Sequence, residues 1–128
     1  MIPVLIPKFY IMERSNQISA NEFYSYLSGS DHINRYFPNH YITEGVQDVV
    51  TKEECFWFLD IILSYQIYNK IGQINKQYWL LERTIGNEFL VTAKDENENI
   101  LVKQKIPFSD FFFKKFELRL FEKNYLLT

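Results

Sequence analysis

Cysteine is nearly missing from this chain: Cys55 is the one thiol among 128 residues. A single cysteine excludes an intrachain disulfide. Its place in the apolar run Cys55-Phe56-Trp57-Phe58-Leu59 predicts a buried, inert thiol in a reducing compartment. Glycine and proline are scarce, four of each. Four isolated glycines build no phosphate-cradling loop, and 47% hydrophobic residues exclude a largely disordered chain. An excess of one charge is also lacking. Fourteen Lys+Arg against 16 Asp+Glu give a net −2, which speaks against the broad basic surface of a duplex-DNA binder. The longest apolar stretch, Cys55 to Tyr68, is interrupted by Asp60, Ser64 and Gln66 and is too short to span a bilayer. The N-terminus has Pro3 and Pro7 and no basic region ahead of its apolar residues, so no secretory signal is expected. A soluble, cytoplasmic protein follows. Histidine is limited to His32 and His40, and without a third ligand at a recognisable spacing they describe no zinc site. No metal or other cofactor is expected.

Aromatic residues, by contrast, are plentiful: twelve Phe, nine Tyr and two Trp make 18% of the chain. Some fill a core, while tyrosine favours half-wet positions of the kind interfaces use. Residues 1–18 read as an extended arm, its φ angles constrained by Pro3 and Pro7. Ser19-Ala20-Asn21-Glu22 is a capping box with Ile18 and Phe23 at the staple positions, predicting a helix from about 20 to 28 closed by Gly29. Residues 30–41 read as a polar and aromatic loop, and Thr43 as the cap of a short helix over 44–49. Thr51-Lys52-Glu53-Glu54 looks like a second capping box, with Val50 and Cys55 as its staple. It predicts a long central helix over about 52–71 that is apolar nearly all round.

In the second half the period changes from 3.6 to 2. Tyr78–Ile85, Glu88–Lys94 and Ile100–Ile106 form a predicted meander, followed by strands near 116–121 and 125–127. Helices first and strands after, without βαβ alternation, predict an α+β domain over 19–128. In it an antiparallel sheet of four to five strands is packed by N-terminal helices.

Three groups of residues are candidates for chemistry or contact. Asp60, a carboxylate within an apolar helix, is costly unless paired. With Asp31, Thr43 and Gln66 it is expected to form a structural polar network. Asp31, His32 and Asp60 could alternatively meet as a hydrolase-like acid–base set, although no activated nucleophile accompanies them. The run Phe111-Phe112-Phe113 cannot face one core with all three rings, so it joins Phe9, Tyr10, Tyr36 and Tyr41 as candidate contact residues. Lys103 and Lys105 read as strand lysines that guard an edge.

Several motifs, taken in order, resemble a known family. They are Leu27-Ser28-Gly29-Ser30-Asp31 with Tyr36, Tyr41-Ile42-Thr43-Glu44-Gly45-Val46, and Phe56-Trp57-Phe58-Leu59-Asp60-Ile61-Ile62 with Ser64-Tyr65-Gln66. Trp79-Leu80-Leu81, Gln104-Lys105-Ile106 and Phe108-Ser109-Asp110-Phe111 continue the series. The chain resembles, over about residues 27–127, a bacterial and phage family catalogued as domain of unknown function 6876. That family tends to carry Glu at the place of Asp31 and Thr at the place of Ser109. The resemblance implies a compact α+β domain encoded by bacteria, phages or plasmids, and no activity.

The leading expectation is therefore a non-catalytic protein-interaction module. It would bind a protein partner, or itself as a homodimer, through its aromatic surface, as a mobile-element modulator of host machinery such as a defence system. Nucleic-acid binding through stacking aromatics and a few lysines is the second expectation. A small enzyme using Asp31, His32 and Asp60 is the third.

Overall fold

The computed structural model describes residues 14–27, 32–68 and 70–128. Residues 1–13 of the expected arm, with Phe9 and Tyr10, the Gly29 helix stop and Asp31 lie outside the described residues; at its described end the Ile18 amide donates to the Ser15 carbonyl at 3.4 Å, a turn in place of an extended run.

Helix α1 (Ala20–Phe23) is a single turn. Ser19 caps it as the capping box predicts, its Oγ accepting from the Glu22 amide at 3.0 Å. A 3₁₀ turn, Ser25–Leu27, follows in place of the expected continuation to 28. Two strands then occupy the segment read as a loop, β1 (Ile33–Phe37) and β2 (His40–Thr43). Pro38 and Asn39, the latter at φ 66°, make the turn between them. Every residue of β1 is exposed or half-buried, so no apolar alternation marks it as a strand.

Thr43 caps α2 (Glu44–Lys52) through its Oγ1, which accepts from the Val46 amide at 3.2 Å. Helix α3 (Phe56–Tyr68) follows. The single helix over 52–71 is thus corrected to two shorter helices. The apparent capping box at Thr51–Glu54 is the end of α2, closed by a Schellman motif. The Cys55 amide donates to the Val50 carbonyl at 2.9 Å and the Glu54 amide to the Thr51 carbonyl at 3.3 Å. Glu54 takes the left-handed position at φ 53°. Val50 and Cys55, both fully buried, make the apolar contact that accompanies this motif rather than a staple at a helix start. Nor is α3 buried on all sides: Phe58, Leu59, Ile62 and Leu63 face the core, while Phe56, Ile67 and Tyr68 face water. A 3₁₀ turn, Lys70–Gln73, leads into the sheet.

The predicted meander is present as β3 (Lys76–Ile85), β4 (Glu88–Lys94) and β5 (Ile100–Ile106), followed by β6 (Lys115–Phe121) and β7 (Asn124–Leu127). The fold is α+β. Its sheet has seven strands, not four to five, in the order β1-β2-β7-β6-β3-β4-β5. It is mixed because β2 runs parallel to β7, joining Tyr41 to Asn124 and Ile42 to Tyr125. The extra strands are the β1–β2 hairpin, which docks on the last strand and covers its free edge. Inward side chains, among them Trp79, Leu81, Phe89, Val91, Phe116, Leu118 and Tyr125, form the core beneath the helices. Val46, Val49, Phe58, Leu59 and Ile62 close it from the helical side.

Candidate functional site

Two surfaces emerge, a polar cluster on the helical side and the opposite face of the sheet. In the first, Tyr36 on β1 donates its hydroxyl to the Asp60 carboxylate on α3. Its ring stacks on Phe56, with centroids 6.2 Å apart. Asp60 is exposed rather than buried in an apolar helix, and this hydrogen bond is what engages it. The Tyr125 hydroxyl lies 3.4 Å from His40 Nδ1 inside the fold. Burial, reinforced by Asp60, raises the Tyr36 phenol well above its ordinary value, and burial raises Tyr125 likewise. Burial and then the nearby Lys123 charge lower His40. The cluster thus holds a neutral imidazole and two protonated phenols at neutral pH. The Cys55 thiol, pushed up to about 12 chiefly by burial, is no nucleophile either.

An open cleft of about 410 Å³ adjoins His40, between Phe37, Gln66, Ile67, Gly72 and Lys123. Gln66 forms one wall and takes part in a reciprocal amide pair. Its Nε2 donates to Gln77 Oε1 at 2.7 Å, and Gln77 Nε2 donates to Gln66 Oε1 at 2.9 Å. Gln77 Nε2 also reaches the carbonyls of Ile71 and Ile74, both at 2.9 Å, and Gln77 Oε1 accepts from the Trp79 indole at 2.9 Å. The expected single network dissolves into separate parts: Thr43 is a helix cap, Asp60 serves Tyr36, and Gln66 serves Gln77. Gln77 was the missing member, legible as a polar residue at an inward position beside Trp79 and Leu81.

Of the expected acid–base set, Asp31 lies outside the described residues, and His32 and Asp60 lie against different places along β1. The His32 carbonyl accepts from the Glu44 amide at one end of β1, whereas Tyr36, which holds Asp60, lies four residues along the strand, about 13 Å away. Of the phenylalanine run, Phe111 and Phe113 are core residues at 2% and 0% exposure, so neither offers a contact surface. Arg83 fixes this segment by donating to the carbonyls of Phe111 at 2.7 Å and Phe112 at 3.0 Å. Phe112 is half-buried, and the Arg14 guanidinium lies 4.2 Å above its ring. Arg14 also pairs with Glu53, which accepts from the Tyr24 hydroxyl. That cluster has no sequence signal, because 39 residues separate Arg14 from Glu53.

The second surface is the outward face of the sheet, and no described helix packs on it. The register of the strand pairs defines its rows. One runs Arg35, Tyr41, Asn124, Phe121, Lys76 across five strands. The next runs Leu126, Arg119, Tyr78, Lys94. Two further rows are Glu117, Leu80, Thr92, Lys103 and Lys115, Glu82, Leu90, Lys105. Glu88 shares the outward parity of β4 and pairs with Lys105 at 3.2 Å. Seven outward strand residues are basic (Arg35, Lys76, Lys94, Lys103, Lys105, Lys115, Arg119) and three acidic (Glu82, Glu88, Glu117), so these strand positions carry 7 − 3 = +4, while Glu96 from the β4–β5 turn reaches Lys76 at 3.5 Å. The rest of the sequence then carries (14 − 7) − (16 − 3) = −6. Among the described residues, Arg35, Lys94, Lys103 and Arg119 have no ion-pair partner. Tyr41 and Tyr78 are exposed between these cations, at 36% and 38%.

Fold and site together define an α+β protein whose described helices lie on one side of a mixed sheet, with a basic, aromatic face on the other. The chain belongs to the family of unknown function DUF6876, whose pattern matches residues 18–128. No curated protein and no solved structure matches it. Among the described residues, no helix is long and apolar enough to cross a membrane.

Proposed function

We propose that this protein is a non-catalytic binding module whose working surface is the outward face of the sheet. The segregation of charge carries this reading: +4 on one sheet face against −6 elsewhere in a chain of net −2. A domain with no use for that face has no electrostatic reason to gather half its cations there and leave four without an ion-pair partner among the described residues. Such a face raises the local concentration of an anionic partner and orients its approach. The test is photo-crosslinking in the native host, with a benzophenone amino acid replacing Tyr78 and, as control, Tyr68 on α3. Adducts from position 78 that vanish in the Lys94→Glu/Arg119→Glu background are expected. Adducts from position 68 alone would move the working surface to the helices.

A second reading places a protein partner on the helical side. Phe37, Phe56, Ile67 and Tyr68 are exposed there, Tyr68 at 82%, beside the open cleft. Exposed rings of this kind are what interface cores bury. The position-68 crosslink reports on it directly.

A further inference from the structure

Building on the binding-module reading, we propose that the outward face of the sheet binds single-stranded nucleic acid, with Tyr78 as a base-stacking platform. Each ring on this face stands next to a cation, Phe121 opposite Lys76 among them. Arg119 and Lys94 stand directly opposite Tyr78 on the two neighbouring strands, and Arg35 stands directly opposite Tyr41. Adjacent strands are about 4.8 Å apart, so each ring is flanked within one or two strand spacings by a charge that reaches a phosphate. Single-strand sites combine these elements, a cationic track for the backbone and aromatic rings for unstacked bases. A duplex keeps its bases stacked and offers the rings nothing, and no described helix stands on this face to enter a groove.

A depression of about 170 Å³ lies against Tyr78, lined by Leu80, Thr92, Lys94, Glu117 and Thr128. Its apolar floor suits the flat face of a base. The Glu117 carboxylate at its wall accepts hydrogen bonds of the kind an exocyclic amine donates. Its Oε1 pairs with Lys115 at 3.4 Å, so it is the stacking ring of Tyr78, not this carboxylate, that separates a nucleic acid from an acidic peptide. Here the face departs from what the net charge of the chain implies. The overall −2 conceals a local +4 and excludes only a protein that is basic all over.

Fluorescence anisotropy with the full chain and labelled single-stranded DNA and RNA oligonucleotides tests the proposal, with duplex DNA and polyglutamate as comparators. With four unpaired cations engaging phosphates, affinity should fall about 50-fold between 50 and 200 mM salt. Tyr78→Ala should weaken binding about tenfold or more, while Tyr78→Phe, which keeps the ring, should bind like the parent protein. Lys94→Glu/Arg119→Glu should abolish binding, and because both residues are exposed its circular dichroism and unfolding midpoint should stay unchanged. Equal affinity for duplex and single strand would overturn the proposal, as would no oligonucleotide binding at low salt. Polyglutamate binding that matches the oligonucleotides and ignores Tyr78→Ala would overturn it in favour of an acidic protein. None of these outcomes touches the binding-module reading, which fails only if the position-78 crosslinks are absent.

Discussion

Gln77 is the residue whose replacement separates a real polar network from an incidental one. It is 1% exposed and makes the amide pair with Gln66, the bonds to the Ile71 and Ile74 carbonyls and the acceptor for Trp79. Gln77→Leu keeps the volume and removes every one of these partners. The fully buried Trp79 indole N–H is then left without an acceptor, a loss of about 1–3 kcal/mol. The two carbonyls belong to half-buried residues, so part of their bonding is recovered from water and they add about 1 kcal/mol together. The greater burial of an apolar side chain offsets about 1 kcal/mol of this. The net expectation is a destabilisation of about 1–3 kcal/mol. Gln66→Leu leaves Gln77 holding both carbonyls and Trp79, so it should cost only about 1 kcal/mol. Urea unfolding with unchanged m-values measures both. Hydrogen exchange should show residues 70–75 losing protection in the Gln77 variant alone. Equal effects from the two substitutions, or less than about 1 kcal/mol for Gln77→Leu, would refute the idea that Gln77 holds the turn before β3.

Three further outcomes are expected. His40 has its pKa lowered from 6.5 by burial and by Lys123. Its contribution is therefore complete above 6.5, and stability falls as the pH drops through the range between the unfolded and folded values. His40→Asn should flatten the fall in stability that begins as the pH drops below 6.5, and an unchanged slope there would exclude His40 as its source. Glu54 occupies a left-handed position at φ 53°, so Glu54→Gly should stabilise the protein by about 0.5–1 kcal/mol, seen as a raised urea midpoint. A destabilised variant would show that the Glu54 side chain has a role the backbone geometry does not reveal. Cys55, fully buried, should react with a thiol reagent only as fast as the protein opens. Rapid stoichiometric labelling of the native state would contradict the packing of the α2–α3 corner.

Local signals were legible wherever one face of an element is dry. The meander alternates between core and water, so β3, β4 and β5 are visible in the sequence, and the Ser19 and Thr43 caps are decided within three residues. The same local rules mislead at Thr51–Glu54, because a capping box and a Schellman corner place similar residues around a turn. Which of the two forms depends on Val50 and Cys55 entering the core together. The β1–β2 hairpin leaves no pattern, since its outer strand buries no residue fully and its partner, β7, lies more than eighty residues away.

The amino-acid order alone thus determined the α+β class, the meander and two helix caps, which rest on contacts between near neighbours. Only the tertiary structure decided that Phe111 and Phe113 face inward, that Asp60 meets Tyr36, and that half the basic residues share one face of a seven-stranded sheet. Strand register sets which side chains stand together across a sheet, and register is chosen by pairings between segments far apart in the chain. A net charge is a sum over the sequence; its distribution over two faces belongs to the fold.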